Sequence, residues 1–205
     1  MLLRMYNENP APRHIRQVVD VLRNGGIVIF PTDTVYGLGC DIFHHRAIER
    51  IALLKGLDFS TAKFSFICYD LSSLSEYCKQ VDTPVYKIMK KNLPGPFTFI
   101  LEASGKVPKI LKNKKKTIGI RIPDNNIVRE IVRELGNPIL TTSIRDPEDD
   151  IVEYITDPEL IFERYRNSVD LVIDGGYGKT LGSTIVNCVG DEIEIIREGE
   201  KALEY

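Results

Sequence analysis

Segments of helical and strand-like periodicity take turns along almost the whole chain, and this alternation limits the fold more than any other feature. Residues 13–24 place Ile15, Val18, Val19 and Leu22 at helical spacing, and Gly25-Gly26 ends the run. An apolar strand from Ile27 to Phe30 follows, then PTDTVYGLG. Ala47 to Leu54 returns to the helical period, and a polar loop, KGLDFSTAK, leads into a strand from Phe64 to Tyr69. Pro84 opens a further helix through Lys91, since proline's missing N–H costs nothing in a first helical turn. LPGPFTFIL reads as a turn running into a strand, and KTIGIRIP as a strand stopped by Pro123. Asn126 to Leu135 is helical, NPILTTSI a strand, 157–166 a helix and VDLVIDGG a strand. GSTIVNCV and EIEIIRE close the chain as a β-pair. Helices set between strands predict an α/β layer fold with parallel pairs. The final pair has no helix between its strands, so the sheet is predicted to be mixed.

A chain of 205 residues suits one domain over residues 1–205, and 43% hydrophobic residues supply a core that a disordered chain lacks. The net charge of −2 argues against binding that relies on overall positive charge, while leaving room for a local basic cleft. Cysteines at 40, 68, 78 and 188 form no CxxC or CxxH pair, so there is no zinc signature. A disulfide framework is not expected in a chain of this size, and the cytoplasm is the default compartment. MLLRMYNENP is too short and polar for a signal peptide. No apolar stretch approaches the roughly 20 residues of a membrane helix.

PTDTVYGLG is the stretch most suggestive of a site. It follows an apolar strand and supplies Thr32, Asp33, Thr34 and Tyr36, with Gly37 and Gly39 expected to turn the backbone tightly near a ligand. A plain polar turn is the equal alternative. Apolar strands carrying isolated polar residues are more telling: Arg121 in KTIGIRIP, Thr141, Thr142 and Ser143 in ILTTSI, Ser183 and Thr184 in GSTIVN, and Arg197 in EIEIIREG. A desolvated guanidinium needs a partner, either a ligand's carboxylate or phosphate or one of the protein's own acids. Lys55 and Lys63 in KGLDFSTAK suit phosphate, as does the run Lys109, Lys112, Lys114, Lys115 and Lys116, although a solvated face is the ordinary fate of such lysines. DGGYGKT lacks the first glycine of a P-loop, where Ile173 stands, and reads as a turn. His14, His44 and His45 belong to no triad or HExxH pattern.

FPTDTVYGLG, Lys55, PGPFTF, GIRIP, TTS, GST and IIREG, in this order, resemble the YrdC/YciO-like family, whose best-known members are L-threonylcarbamoyladenylate synthases. The resemblance spans nearly the whole chain. It implies a twisted mixed sheet of parallel and antiparallel strands, with flanking helices around a deep basic cavity. It implies a reaction of L-threonine, bicarbonate and ATP, with Mg²⁺, giving threonylcarbamoyl-AMP, pyrophosphate and water for t6A modification of tRNA. It also implies possible binding of tRNA or double-stranded RNA. Carried over residue by residue, Thr34, Tyr36, Arg121, Thr141 and Ser183 would surround threonine, with Arg121 on its carboxylate and Tyr36 at the cavity floor. Thr117, Ser143 and Arg197 would contact ATP, and Lys55 and Lys63 would serve catalysis. No protein ligand for a metal is implied.

The sequence departs from the synthase pattern at three places. Leu57 replaces the arginine of a KxR element, Arg145 replaces the asparagine of SxN, and Cys68 stands where some members place a histidine. These departures resemble the YciO branch. Three readings follow: the synthase, an RNA-binding module with weak or no synthase activity, and a nucleotidyl transferase with another substrate.

Overall fold

A computed structural model describes residues 1–58, 64–111, 116–144, 155–190 and 192–205. Ten strands among them form one sheet: β1 (Leu2–Arg4), β2 (Val28–Phe30), β3 (Gly37–Asp41), β4 (Ser65–Ile67), β5 (Phe97–Glu102), β6 (Thr117–Arg121), β7 (Ile139–Ser143), β8 (Leu171–Asp174), β9 (Thr184–Asn187) and β10 (Glu194–Arg197). Their order across the sheet is β1-β8-β2-β3-β7-β4-β6-β5-β9-β10. Pairings β1–β8, β2–β8, β4–β6 and β5–β9 are parallel, and β2–β3, β3–β7, β4–β7, β5–β6 and β9–β10 antiparallel. The sheet is mixed, as the helix-free closing pair predicts.

The helices are α1 (Pro12–Arg23), α2 (His45–Leu54), α3 (Leu74–Tyr77), α4 (Thr83–Asn92), α5 (Asn126–Leu135) and α6 (Pro158–Tyr165). Local chemistry sets several of their ends. Asn125 accepts the Val128 N–H and Asp157 accepts the Glu159 N–H, each satisfying an orphan donor of a first turn. Gly56, at φ +60°, closes α2: its N–H donates to Leu53 O, and the Leu57 N–H donates to Ala52 O. Such a close turns the residue after the glycine back onto the helix's apolar side. Leu57 accordingly packs against the main core.

The structure revises two expectations from the sequence. PTDTVYGLG is not a loop throughout, because Gly37 and Gly39 lie in β3, antiparallel to β2. Their role is close approach rather than turning. A Cβ on Gly37 would stand 2.6 Å from the Phe30 ring, and one on Gly39 2.3 Å from Leu140 O. The N-terminal residues, read only as unlike a leader, form β1 against β8.

The two faces of the sheet differ. On one, Ile29, Leu38, Cys40, Phe66, Phe97, Phe99, Ile118, Ile120, Leu140 and Val172 join the larger core with buried residues of α2, α3, α4 and α6. On the other, α1 and α5 pack on Val28, Phe30, Ile67, Ile139, Leu171 and Ile173. The rest of this second face does not continue that core. Its positions on β3, β4, β6 and β7 are filled by glycine, serine, threonine, one aspartate and one arginine.

Candidate functional site

Register builds the floor of the site. Gly39 pairs with Thr141, Thr141 with Ser65, and Ser65 with Gly119, so one row of small residues crosses four strands on one face. Gly37 pairs with Ser143 one step further along. Thr117, Gly119 and Arg121 alternate with Ile118 and Ile120, which places the three polar or small positions on this face and the isoleucines in the core. The glycines keep the floor low: a Cβ on Gly119 would meet Ser65 Oγ at 2.5 Å.

Arg121 stands at the end of β6, with its side chain 10% exposed. Its Nη2 donates to Thr34 Oγ1 at 3.0 Å and to Asp33 Oδ1 at 3.3 Å. The Asp33 side chain is 9% exposed, and its Oδ2 accepts the Asp124 N–H at 3.0 Å. Desolvation raises the Asp33 pKa despite the opposing charge of Arg121. Desolvation likewise lowers that of Arg121; Asp33 opposes the shift and the positive charge of Arg197 adds to it. The two guanidinium groups therefore lie within electrostatic reach of one another. Both sequence alternatives for Arg121 apply together: it has an internal carboxylate, and it still has capacity for a ligand. Its Nε is buried without a partner, and so is the hydroxyl of Thr141. A buried polar atom left unmatched costs about 1–3 kcal/mol, which a ligand atom at each position would recover.

The neighbouring polar groups hold this arrangement. Thr32 Oγ1 donates to Val35 O and accepts the Thr34 N–H, so the hydrogen between the two threonine hydroxyls comes from Thr34. Thr34, fully buried, thus donates to Thr32 and accepts from Arg121. Ser183 Oγ shares a 2.7 Å hydrogen bond with Thr98 Oγ1, whose methyl borders Gly119. Arg197 donates through Nη2 and Nε to Ser183 O, at 2.7 and 3.2 Å. Contacts therefore run from Arg197 through Ser183 and Thr98 to the floor, while Thr34, Arg121 and Asp33 border it at the end of β6.

Other expected residues are placed differently. Tyr36 is fully buried; its hydroxyl donates to Gly176 O and accepts the Gly175 N–H, so it anchors the turn after β8. Burial raises its pKa. Lys55 follows α2, and its ammonium donates to Ile144 O at 3.2 Å, beside the end of β7. Ser143 extends the floor by its register with Gly37, and Thr117 lies two residues before Gly119. Lys63 and Arg145 lie outside the described residues, as do Lys112, Lys114 and Lys115. Leu57, partly buried, packs against the core at the position where the family pattern places a phosphate arginine. Cys68 is buried, and its thiol is pushed up to about 12, which removes it from thiolate chemistry at neutral pH. A cleft of about 680 Å³ lined by Arg13, Arg16, Arg50 and Asp170 runs beside α1 and shares no residue with this floor. Asp33 is the residue whose weight sequence reasoning missed; its partner lies 88 positions away.

Residues 20–199 match the sequence profile of the Sua5/YciO/YrdC family, described as telomere recombination. The uncharacterized protein YciO of Escherichia coli (strain K12) is 40% identical over 196 residues, which cover 95% of this chain and 93% of that protein. Its crystal structure superposes with a TM-score of 0.90 at 39% identity, covering 97% of this chain and 95% of the other. A threonylcarbamoyl-AMP synthase of Nitrosococcus oceani is 30% identical over 172 residues, covering 82% of this chain and 89% of the enzyme.

Proposed function

The chain belongs to the Sua5/YciO/YrdC family, some of whose members are named threonylcarbamoyl-AMP synthases, and we propose that it catalyses the same class of reaction. L-Threonine and bicarbonate give a carbamate on the amine, with loss of water. A carbamate oxygen attacks the α-phosphate of ATP, and pyrophosphate leaves with the electrons of the broken P–O bond. The observation that carries this reading is Arg121: a buried guanidinium with an unpartnered Nε at the edge of a floor of glycine, serine and threonine, beside a second arginine.

Each residue has work suited to its chemistry. Arg121 Nε is a donor for the threonine carboxylate, and Thr34 holds the guanidinium from behind. Thr141 offers a hydroxyl for an amino-acid polar group, and the Ser183 carbonyl holds the guanidinium of Arg197. Arg197, Lys55 and Lys63 are the cations proposed to meet the charge that builds on phosphoryl oxygens. Ser143 and Thr117 would border the nucleotide. Little covalent chemistry falls to the protein; alignment and charge neutralisation supply the rate. Mg²⁺ would enter on the phosphate oxygens of ATP and screen their charge; among the described residues no three His, Cys, Asp or Glu side chains gather to hold a metal.

The test is pyrophosphate release from ATP and bicarbonate, with the acyl-adenylate followed by mass spectrometry. Release that requires threonine is the expected result. Leu57, partly buried against the core where the resemblance places a phosphate arginine, favours a second reading, an RNA-binding protein with weak or no synthase activity. No release with any amino acid, together with salt-sensitive binding of duplex RNA or tRNA, would establish it. Release with another amino acid alone would keep the transfer and change its substrate.

A further inference from the structure

Thr184 is the polar residue of GSTIVN that the site leaves unused. It opens β9 fully buried, on the same face as Val186 of the larger core, and so is turned away from the floor. A hydroxyl buried on that side needs partners, and it finds them in the tail beyond β10. Its Oγ1 accepts the Gly199 N–H at 3.0 Å and donates to Lys201 O at 2.5 Å. Between them, the Glu200 N–H donates to Gly182 O at 3.0 Å, and the Glu200 carboxylate pairs with Lys179 at 2.6 Å. The tail lies directly on the strand: a Cβ on Gly199 would stand 2.4 Å from Gly182 O, Ser183 C and Thr184 N.

What this clasp encloses is the contact between Arg197 and Ser183. Arg197 ends β10, an edge strand, and the β9–β10 register shifts between Ile195 and Arg197. A shift of that kind re-aims the side chain beside it, so the strand ladder alone does not fix where Arg197 points. Gly199 follows closely after Arg197, and Thr184 directly after Ser183. The Thr184–Gly199 bond therefore fixes donor and acceptor against each other, with Arg197 Nη2 and Nε on Ser183 O at 2.7 and 3.2 Å. Ser183 in turn bonds Thr98 beside the floor. We propose that Thr184 is a positioning residue: its hydroxyl locks the tail after β10 onto β9 and so aims the Arg197 guanidinium across Ser183, touching no ligand itself. Its bearing on catalysis rests on the reading of Arg197 as one of the cations at the phosphoryl group.

The experiment compares, in the full chain, Thr184→Val, which keeps the shape and removes the hydroxyl, with Thr184→Ser, which keeps the hydroxyl. Solvent exchange of the Arg197 Nε–H is followed by proton–nitrogen NMR, the resonance being identified by its loss in Arg197→Lys. Exchange is expected to be about tenfold faster in Thr184→Val, the scale of one lost hydrogen bond, and unchanged in Thr184→Ser. In the pyrophosphate assay, at a temperature where every variant is folded, Thr184→Val is expected to lower kcat/KM for ATP about tenfold and Thr184→Ser to keep it. A merely structural threonine would shift the denaturation midpoint and leave both quantities alone. Unchanged exchange in Thr184→Val, equal loosening in both variants, or faster exchange with kcat/KM intact overturns the proposal. Should Thr184→Val fail to fold, Gly199→Ala decides, because its methyl lifts the tail with the Thr184 hydroxyl in place: faster Arg197 exchange is expected, and wild-type exchange overturns the clasp. A wild type that releases no pyrophosphate removes the proposed function, while the exchange rates still decide whether Thr184 aims Arg197.

Discussion

The sheet face that carries α1 and α5 changes character partway across. At one end Val28, Phe30, Ile67, Ile139, Leu171 and Ile173 meet the helices in a dry core. At the other, the same strands present Ser65, Thr141, Ser143 and the glycines of β3, joined by Gly119 and Arg121 of β6. Strands β4 and β7 cross the boundary within two residues: Ile67 is core and Ser65 floor, Ile139 core and Thr141 floor. A single sheet therefore serves two purposes. Its apolar half supplies folding free energy by removing hydrocarbon from water. Its polar half carries an ion pair and two unmatched atoms that work against folding and await a ligand.

If that division is right, breaking the ion pair should have the largest effect, on stability and activity together. Arg121→Ala leaves the Asp33 carboxylate buried and alone, which costs about 3–5 kcal/mol of stability. It should also lower kcat/KM for the amino acid by roughly 10²–10³, the scale for one lost charge-stabilising donor. The double variant Arg121→Met with Asp33→Asn removes both charges and should recover most of the stability, or exceed the wild type, with activity as low as in Arg121→Ala. Urea denaturation and the pyrophosphate assay separate the two quantities. A double variant as unstable as Arg121→Ala would mean that the polar half holds the fold together after all.

The apolar half should answer in the opposite way. Phe30 is buried and its ring lies over Gly37 and Gly39. Phe30→Ala should cost about 3–5 kcal/mol in denaturant, by lost transfer free energy and the cavity left behind. Activity per folded molecule should fall far less than in Arg121→Ala. Equal losses of activity would show that the floor depends on Phe30 for its shape.

How much of this division the sequence reveals follows from the range of each interaction. Helix α5 is legible to the residue, because its apolar period, its Asn125 cap and the left-handed Gly136 are all local. The polar floor leaves a local trace too, in the alternation of TIGIR and GLGCD, where every second residue is too small or too polar for a core strand. Arg121 stands out against its isoleucine neighbours for that reason. Strand β1 is hidden: three residues show no period, and β8, some 170 positions away, creates it. Gly37 and Gly39 misread as turn residues because glycine is rare in strands, and the ring that requires them belongs to another strand. The role of Asp33 is invisible for the same cause, since nothing in PTDT names a partner on β6.

The glycines sharpen the boundary at a smaller scale. Gly39→Ala puts a Cβ 2.3 Å from a backbone carbonyl that cannot swing away, and should cost about 1–3 kcal/mol. Gly119→Ala meets Ser65 Oγ at 2.5 Å, a side-chain atom that can rotate. It should cost less than Gly39→Ala in urea yet raise KM for the amino acid more, because the new methyl fills the floor. Reversal of that order would place the ligand elsewhere.

The smallest expected effect is a pH dependence confined to the polar half. Asp33 has a folded-state pKa above its ordinary 3.8, with desolvation the main cause. Arg121 and Asp124 are the charged groups facing it, one lowering that value and the other raising it. An acid whose pKa is raised by folding favours the folded state while protonated. Its contribution is therefore present below the ordinary carboxylate range and is lost as pH rises through the folded-state value. Subtracting the stability of Asp33→Asn from that of the wild type at each pH removes most of the background from other carboxylates. The difference should decline with rising pH across that window and then stay level to neutrality, whereas the same subtraction with Phe30→Ala should be flat. A difference that instead rises with pH would mean that Arg121 overcompensates the burial of Asp33, and that the polar half stabilises the fold.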